Sequence, residues 1–248
     1  NATNFSIDAI REACDFAHAR GKKVYLTLNI VFHNEDLPHV REYIEQVVSC
    51  GIDAFIVSDP FLISYIVEHF PNVEVHVSTQ NSTCNYEAVS FFKRQGVKRV
   101  VVARELSKEE IQEIIAKTNV DIEVFIHGAM CTFYSGRCVL SNYVTNRDSN
   151  RGGCSQVCRF AFDQKENDAK FTMATKDLNL ARCIPDMIEI GVRSLKVEGR
   201  MRSPYYLATV MSSYRRLIDA YYDGVLTEEL IRREEKILSR VANRETSE

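Results

Sequence analysis

Seven short runs of β-branched and apolar residues recur along this chain, and each except the fifth leads directly into a helix-like pattern. They occupy residues 24–29, 54–59, 74–80, 99–105, 122–128, 171–175 and 194–199. Near-continuous apolar strands that alternate with helices are typical of a parallel sheet covered by helices. The alternation therefore predicts an α/β fold.

The number of strands favours a closed barrel over an open sheet. Seven strands are one short of a (β/α)8 barrel, and the chain opens with a helical pattern that Ser6 caps, with no strand before it. The prediction is a (β/α)8, TIM-like barrel that lacks its first strand in this chain, because that strand lies upstream of Asn1. A doubly wound open sheet is the alternative, but no GxGxxG follows any strand and no P-loop pattern occurs.

The predicted domain organisation is simple. Residues 1–248 form one amino-terminally truncated barrel domain, with a cysteine-rich insertion at residues 128–170 after the fifth visible strand. The composition is 45% hydrophobic and 26% charged with a net charge of −3, so any nucleic-acid contact must come from a local patch. No apolar run approaches the roughly 20 residues that span a bilayer, and we expect a cytoplasmic protein.

In a (β/α)8 barrel the active face lies at the carboxyl ends of the strands. Residues at these ends are Asn29, Asp59, Gln80, Arg104, Glu105, His127, Lys176, Lys196, Glu198 and Arg200. Lys196 and Glu198 are two residues apart and point to one side of their strand, which suggests the polar mouth of a barrel. The alternative for many of these residues is a helix cap or an ion pair, with Asp59 and Asp177 as typical caps. A structural role is likewise the commoner outcome for a lone His127.

Half of the eight cysteines fall in one turn-rich stretch, with the spacing C-x6-C-x15-C-x3-C. These four are Cys131, Cys138, Cys154 and Cys158. The spacing suits zinc poorly, whereas the ligand spacings of iron–sulfur clusters vary more widely. Disulfides, redox thiols and the absence of any site remain open. The other four are Cys14, Cys50, Cys84 and Cys183, which lie in helix-like patterns and are interpreted as small buried hydrophobes.

The same stretch carries a local positive charge. Between residues 131 and 160 four arginines face a single acid, Asp148. The arginines are Arg137, Arg147, Arg151 and Arg159. Arg200, Arg202, Arg215 and Arg216 could extend the patch, with ordinary surface arginines as the alternative for the last two. Guanidinium groups could offset the charge of a thiolate-bound cluster, or bind a phosphate backbone or an anionic small molecule. Phe133, Tyr134 and Tyr143 could stack on a base, although aromatic residues in such a segment more often pack internally.

Three segments together resemble the hallmarks of the collagenase-like peptidase family U32. They are "EVFIHGAMCTFYSGRCVLS", "NRGGCSQVCR" and "SLKVEGRMRSPYY". The resemblance implies oxygen-independent hydroxylation, since several family members act in ubiquinone synthesis or hydroxylate the tRNA wobble uridine or a cytidine of ribosomal RNA. It also implies an iron–sulfur cluster, with Cys131, Cys138 and Cys154 matching the family's ligands. Cys158 matches the RNA-modifying branch, and Cys183 is the fallback fourth ligand.

From the resemblance we expect an iron–sulfur-dependent, oxygen-independent hydroxylase of an RNA base, forming 5-hydroxyuridine at the tRNA wobble position. The expected partners are tRNA, a small-molecule hydroxyl or electron donor, and a homo- or hetero-oligomer with a related family member. The alternatives are a peptidase, for which neither HExxH nor GxSxG is present, and a scaffold with structural zinc.

Each candidate residue receives an expected role. The catalytic candidates are His127, Lys196 and Glu198. The substrate-binding candidates are Asn29, Asp59, Gln80, Arg104, Glu105, Arg137, Arg151, Arg159 and Arg200. The cluster, expected to be [4Fe-4S], would be bound by Cys131, Cys138, Cys154 and Cys158, with zinc as the alternative metal.

Overall fold

The protein is represented by a computed structural model that describes residues 4–163, 170–241 and 246–247. The helices are α1 (Ile7–His18), α2 (Leu37–Ser49), α3 (Pro60–His69), α4 (Tyr86–Arg94), α5 (Lys108–Thr118), α6 (Leu140–Thr145), α7 (Ile184–Glu189), α8 (Pro204–Tyr222) and α9 (Glu228–Leu238). The strands are β1 (Tyr25–Leu28), β2 (Ala54–Val57), β3 (Glu74–Val77), β4 (Arg99–Val101), β5 (Asp121–Gly128), β6 (Phe162–Asp163), β7 (Lys170–Phe171), β8 (Asp177–Asn179), β9 (Ser194–Val197) and β10 (Thr246–Ser247).

Side-chain caps determine where several helices begin. The hydroxyl of Ser6 accepts from the backbone N–H of Ala9 at the start of α1, as predicted. Ser107 and Glu110 form a reciprocal capping box on α5. The Asp59 carboxylate accepts two backbone N–H groups at the start of α3, which confirms its role as a cap. Each such cap stabilises its helix by about 1 kcal/mol because it satisfies otherwise unpaired N–H groups.

The predicted parallel sheet is confirmed. Strands β1 to β5 lie side by side in chain order, and every neighbouring pair is parallel. β9 runs parallel to β5 along Glu123–His127, while β8 pairs antiparallel with the end of β5 and parallel with β10. Each helix from α2 to α5 connects two successive parallel strands, as crossover connections require.

The strand predicted at residues 171–175 is wrong. Only Phe171 of that run is extended, and it belongs to the small β6–β7 hairpin outside the main sheet. β9 takes the parallel position beside β5, Phe171 pairs with Phe162 instead, and the chain joins the main sheet later, at β8, which runs antiparallel to the end of β5. The helix-like pattern that follows this run, at residues 176–191, forms only a short helix, because Asp177–Asn179 form β8 and α7 begins at Ile184, with Pro185 in its first turn.

The sheet ends at β1 on one side, and beyond β5 it branches into β9 and into β8, which pairs with β10. Within residues 4–163, 170–241 and 246–247 no pairing joins β1 to β9. Closure into a (β/α)8 barrel therefore stays a prediction, as does the division into one domain with an insertion at 128–170, whose residues 164–169 lie outside the described part. None of the described helices combines the length and apolar character needed to cross a bilayer.

The core lies between the sheet and its helices. Ile44 of α2, Leu62 and Ile66 of α3, Ile114 of α5 and Ile122 of β5 are each at most 2% exposed. Fully burying one such side chain contributes about 1.5–3 kcal/mol. The apolar helix faces therefore hold the strands in register, and this register brings the strand ends together at one edge.

Candidate functional site

The carboxyl ends of the parallel strands gather several of the predicted residues. Asn29 follows β1, Gln80 lies just beyond β3, and Arg104 lies beyond β4. The amide of Asn29 donates to the hydroxyl of Ser78 at 2.8 Å, which ties the ends of β1 and β3 together. We call this edge of the sheet the mouth; it is the edge where sites occur in parallel α/β folds.

Arg104 is a largely buried cation at the mouth. Its guanidinium carbon lies 4.0 Å from the centre of the Phe125 ring, and one guanidinium nitrogen lies 4.0 Å from a carboxylate oxygen of Glu198. Burial lowers the pKa of Arg104, while the nearby Glu198 and Cys131 groups act in the opposite direction. Arg104 therefore places a poorly hydrated positive charge beside the first cysteine.

Lys196 is engaged within the sheet. Its ammonium group lies 2.8 Å from the carboxylate of Glu123, a β5 residue that is only 4% exposed. Ser194 donates to the same carboxylate at 2.8 Å, and Arg99 lies at 3.5 Å. Burial raises the pKa of Glu123, but Lys196 and the hydrogen bonds outweigh it, so that the pKa is lowered overall. The predicted catalytic Lys196 thus neutralises a buried acid, and its catalytic role stays a prediction.

His127 ends β5 and packs against α8. Its Nδ1 lies 3.1 Å from the hydroxyl oxygen of Tyr214. That hydroxyl donates to either the carbonyl of Ile126 or the side-chain oxygen of Asn179, so it accepts from the imidazole. The ring proton is therefore assigned to Nδ1, which leaves Nε2 as an acceptor.

Burial determines the charge of His127, which is 1% exposed. Burial lowers the pKa of the imidazole to about 4, with Asp177 opposing this shift and Arg202 adding to it. The ring is therefore neutral at physiological pH. Asp177, predicted as a helix cap, is instead a fully buried β8 residue that pairs with Arg202 at 2.7 Å, because the helix begins seven residues later.

The cysteine segment, residues 129–163, leaves β5 and docks on the mouth. The backbone N–H of Ser135 donates to the carboxylate of Glu105 at 3.1 Å. Thr79 and Ser82, beyond β3, donate to the Ser135 hydroxyl and carbonyl oxygens. These contacts connect the segment to the ends of β3 and β4, and they give the predicted Glu105 a positioning role.

Gly136 makes the closest approach between the cysteine segment and the mouth. A Cβ atom at this position would lie 2.2 Å from the carbonyl oxygen of Gln80. Gly136→Ala should therefore lower the free energy of unfolding by about 2 kcal/mol more than Gly224→Ala. Gly224 is the matched control, because its φ of +68° resembles the +71° of Gly136 and nothing lies within 4 Å. Urea denaturation of both variants measures the difference, and equal losses would contradict this contact.

The four cysteines of the segment are in the thiol form and not in disulfides, and the same holds for the other four. Burial raises the pKa of Cys131, and the neighbouring Cys138 and Cys158 add to that effect while Arg104 opposes it. Cys131 thus lies near two of its predicted co-ligands. Nevertheless, no three His, Cys, Asp or Glu side chains within the described residues converge to hold a metal ion. The thiol donors suit an iron–sulfur cluster chemically, but their sulfur atoms are not gathered into one site.

The remaining cysteines differ in their exposure. Cys14 and Cys50 are buried, as predicted for small hydrophobes. Cys84 is exposed, so the prediction is wrong there, because it lies in the turn before α4 rather than within the helix. Cys183, the fallback ligand, is partly buried immediately before α7.

The arginines of the patch differ in their surroundings. Arg151 forms a two-pronged ion pair with Asp36, at 2.6 and 3.0 Å, which holds the pKa of that carboxyl to about 2. Arg159 donates to the side-chain oxygen of Gln156 at 2.7 Å. Arg137 is exposed, and the Arg200 guanidinium approaches Gly152. Arg151 therefore connects the segment to the loop before α2, whereas Arg137 and Arg200 belong to the outer surface.

Large aromatic side chains are exposed on the cysteine segment and beside it. Tyr143 is 90% exposed, Tyr134 is 69% exposed, and Tyr205 at the start of α8 is 74% exposed. The internal-packing alternative is therefore wrong for Tyr134 and Tyr143, while Phe133 is partly buried. Exposed rings on a segment that also carries exposed arginines are the kind of groups on which unpaired bases stack.

Glu123 and Ser135 carry little sequence signal that marks them as site residues. For Glu123 the signal is an acid within an otherwise apolar strand pattern, which demands a buried partner. Ser135 has no such signal, because its contacts to Glu105 and Thr79 depend on how the segment folds back.

Comparison with known proteins finds one matching family profile and several similar proteins. The sequence profile of the family described as Peptidase family U32 matches residues 1–248. The chain is 50% identical over 233 residues to "tRNA hydroxylation protein P1" of Bacillus subtilis, covering 89% of this chain and 55% of that protein. It is 36% identical over 263 residues to a "Collagenase" of Porphyromonas gingivalis, covering 98% of this chain and 63% of that protein.

The name of a third relative also refers to RNA. The "23S rRNA 5-hydroxycytidine C2501 synthase" of Escherichia coli is 36% identical over 226 residues, covering 89% of this chain and 34% of that protein. The chain thus spans between about a third and two thirds of the lengths of these three relatives. Among solved structures, "The Structure of the U32 Peptidase Mk0906" matches with a TM-score of 0.52 at 14% identity, covering 78% of this chain and 76% of that one. That likeness concerns the fold alone.

Proposed function

This chain belongs to peptidase family U32, and we propose that it hydroxylates a pyrimidine base in RNA, namely the wobble uridine of tRNA. The observation that carries the proposal is the 50% identity to "tRNA hydroxylation protein P1" across 89% of the chain. A relative named for hydroxycytidine synthesis in ribosomal RNA supports the same reaction type. An enzyme that acts on tRNA is expected in the cytoplasm. The proposal also includes an oligomer with a related family member.

The outer surface supports RNA binding. Tyr134 and Tyr143 offer exposed rings for stacking, and the exposed Arg137, Arg159 and Arg200 supply positive charge on the same segment and after β9. A base within folded tRNA must be turned out of its stack before an enzyme can reach its C5 atom. Aromatic stacking contributes about 1–3 kcal/mol per base, enough to offset part of that cost.

The proposed cofactor is a [4Fe-4S] cluster bound by Cys131, Cys138, Cys154 and Cys158. Such a cluster, when bound, supplies electron transfer or activates a hydroxyl donor. The chain's own contribution is a set of reduced cysteine side chains with Arg104 close to Cys131. Because the thiols do not converge within the described residues, the proposal requires the cysteine segment to close around the cluster on binding.

Conversion of C5–H to C5–OH oxidises the base by two electrons. If the oxygen comes from water, the C5 proton and one water proton are released and an electron acceptor takes the two electrons. A small-molecule hydroxyl donor that is itself reduced by two electrons would supply both the oxygen and the oxidation. Of the three catalytic candidates, Glu198 is best placed to take up the proton. Its carboxylate is about one-third exposed at the mouth, whereas Lys196 is paired with Glu123 and His127 is buried under α8.

Iron and acid-labile sulfide content after anaerobic purification tests the cofactor. We expect roughly equal iron and sulfide in the wild type, and loss of both in Cys131→Ala because a cluster needs its full thiolate set. Cys84→Ala is the control, since that thiol is exposed outside the segment. Zinc without sulfide would contradict the cluster and favour the structural-zinc alternative.

Analysis of tRNA nucleosides tests the reaction. Deleting the gene should abolish 5-hydroxyuridine, and the wild-type gene should restore it while the Cys131→Ala gene does not. Unchanged 5-hydroxyuridine in the deletion strain, together with unchanged 5-hydroxycytidine in ribosomal RNA, would contradict RNA hydroxylation.

A peptidase is the second candidate, because the relative named "Collagenase" is 36% identical and covers 98% of the chain. It predicts hydrolysis of collagen-like peptides that survives Cys131→Ala. Hydrolysis lost together with the cluster would not fit a peptidase of this kind.

A further inference from the structure

Buried polar atoms without hydrogen-bond partners concentrate at the mouth. Across the described residues there are nine such side-chain atoms, and five of them lie just beyond β2, β3 and β4. These five are Ser58 Oγ, Gln80 Oε1, Asn81 Nδ2, Thr83 Oγ1 and Arg104 Nε. Folded proteins pair most buried polar groups with protein, water or ligand atoms, and a group left unpaired is destabilising. Five such atoms at one edge therefore offer hydrogen-bonding capacity to a bound ligand.

The five atoms belong to the ends of three adjacent strands. Neighbouring strands lie about 4.8 Å apart, so the ends of β2 and β4 are separated by about 10 Å, which is the span of one small ring with its substituents. The cysteine segment packs on this edge, because Gly136 contacts the backbone of Gln80 and Ser135 contacts Glu105. A ligand at these strand ends would therefore lie beside the segment that carries Cys131 and Cys138.

The chemistry of the five atoms selects the kind of ligand. Asn81 Nδ2 and Arg104 Nε can only donate, Gln80 Oε1 can only accept, and the two hydroxyls can do either. A phosphate or carboxylate offers acceptors alone and would leave Gln80 unpaired. The Watson–Crick edge of a pyrimidine offers both kinds of group, because uracil has an N3–H between two carbonyls, and cytosine has an amino group beside N3 and a carbonyl.

We propose that Gln80 and Asn81 read the Watson–Crick edge of the pyrimidine that is hydroxylated, which makes them the specificity-determining pair of the site. Gln80 Oε1 accepts the base N–H, and Asn81 Nδ2 donates to the adjacent ring acceptor. This assignment rests on the proposed RNA hydroxylation. Holding the N3 edge of the base leaves its C5–C6 edge, where the hydroxyl is added, free of these two residues.

Chemical deletion of the N3–H tests Gln80 directly. The full-length protein is titrated by fluorescence anisotropy with two RNA hairpins that differ only in a loop uridine or N3-methyluridine. The wild type should bind the uridine hairpin about tenfold more tightly, because one lost hydrogen bond at a buried acceptor is worth about 1.4 kcal/mol. Gln80→Met removes the acceptor and should bring the ratio close to one, whereas Gln80→Glu keeps an acceptor and the preference.

Asn81→Asp exchanges the donor for an acceptor of the same size. It should weaken binding of the uridine hairpin about tenfold without removing the discrimination against N3-methyluridine. A cytidine hairpin in parallel shows which pyrimidine the pair prefers. Gln46→Glu on α2 and Asn72→Asp before β3 are controls with equal changes of charge, both on exposed residues away from the mouth, and they should bind as the wild type does.

Thermal melting of every variant separates binding from folding. A folded Gln80→Met protein that still prefers uridine tenfold overturns the assignment of Gln80, and a folded Asn81→Asp protein with unchanged affinity overturns that of Asn81. A wild type that binds none of the hairpins and leaves tRNA unmodified refutes the proposed function instead. A wild type that hydroxylates RNA but ignores N3 methylation refutes the base-reading pair alone.

Discussion

Replacing Lys196 by methionine is expected to lower the free energy of unfolding by about 3–5 kcal/mol. The Lys196 ammonium group lies 2.8 Å from the carboxylate of Glu123, which is only 4% exposed. Removing one partner of a buried ion pair leaves the other charge inadequately compensated, and this costs far more than the pair itself contributes. Arg99 at 3.5 Å compensates only in part, and urea denaturation at neutral pH measures the loss.

Two further variants show that the loss arises from the unpaired acid. Glu123→Leu combined with Lys196→Met should recover most of the stability, because an apolar pair of similar size needs no compensation. Lys117→Met is the surface control, since Lys117 pairs with Glu113 at 2.6 Å with both side chains about half exposed, and its denaturation midpoint should not move. A Lys196→Met protein as stable as the wild type would show that the buried carboxylate does not depend on this lysine.

The same double variant separates structure from catalysis at Lys196. A double variant that regains both stability and hydroxylation would assign Lys196 a positioning role. Stability regained without hydroxylation would support its predicted catalytic role instead.

Acidification between pH 6.5 and 4 is expected to destabilise the protein through His127 by about 3 kcal/mol. Burial lowers the pKa of this imidazole from 6.5 to about 4 in the folded state, so the unfolded chain binds more protons throughout that interval. Stability therefore rises with pH there, by about 1.4 kcal/mol for each pH unit, and is lost as the pH falls. Above pH 6.5 the imidazole is neutral in both the folded and the unfolded state, so His127 causes no change of stability with pH there.

The His127→Gln variant isolates this contribution. Between pH 6.5 and 4 the unfolding free energy of the wild type should fall more steeply with decreasing pH than that of the variant. His76 is also fully buried with a lowered pKa, and Glu123 loses its stabilising charge at still lower pH, so the variant retains some acid sensitivity. Parallel curves for the two proteins would show that the imidazole is protonated equally in the folded and unfolded states.

The strands and helices could be predicted because their signal is local. Apolar runs such as residues 54–59 and 122–128 predicted strands of a parallel sheet, and the structure confirms them as β2 and β5 of that sheet. The run at 171–175 has a similar composition, but β9 takes the parallel position beside β5, and Phe171 pairs with Phe162 in a hairpin outside the main sheet. Local composition does not show which segments pair with each other, so this strand was predicted wrongly and the helix after it is shorter than predicted.

The candidate site was predictable only in part. Cysteine spacing and strand ends directed attention to the cysteine segment, to Gln80 and to Arg104. The unpaired amide of Asn81 and the buried Glu123 were not foreseen, because neither has a pattern of its own. Arg151 was expected at an anion site, whereas the structure pairs it with Asp36, which lies 115 residues away along the chain.

The sequence by itself determined the alternation of strands and helices, the resemblance to family U32 and the four clustered thiols, because periodicity and spacing are properties of neighbouring residues. Only the tertiary structure decided that Lys196 neutralises Glu123 across 73 residues, that His127 is buried against α8, and that unpaired polar atoms gather at the mouth. These features depend on which distant residues become neighbours and on how much water is excluded around them, and the free energies of charges and hydrogen bonds follow from that exclusion.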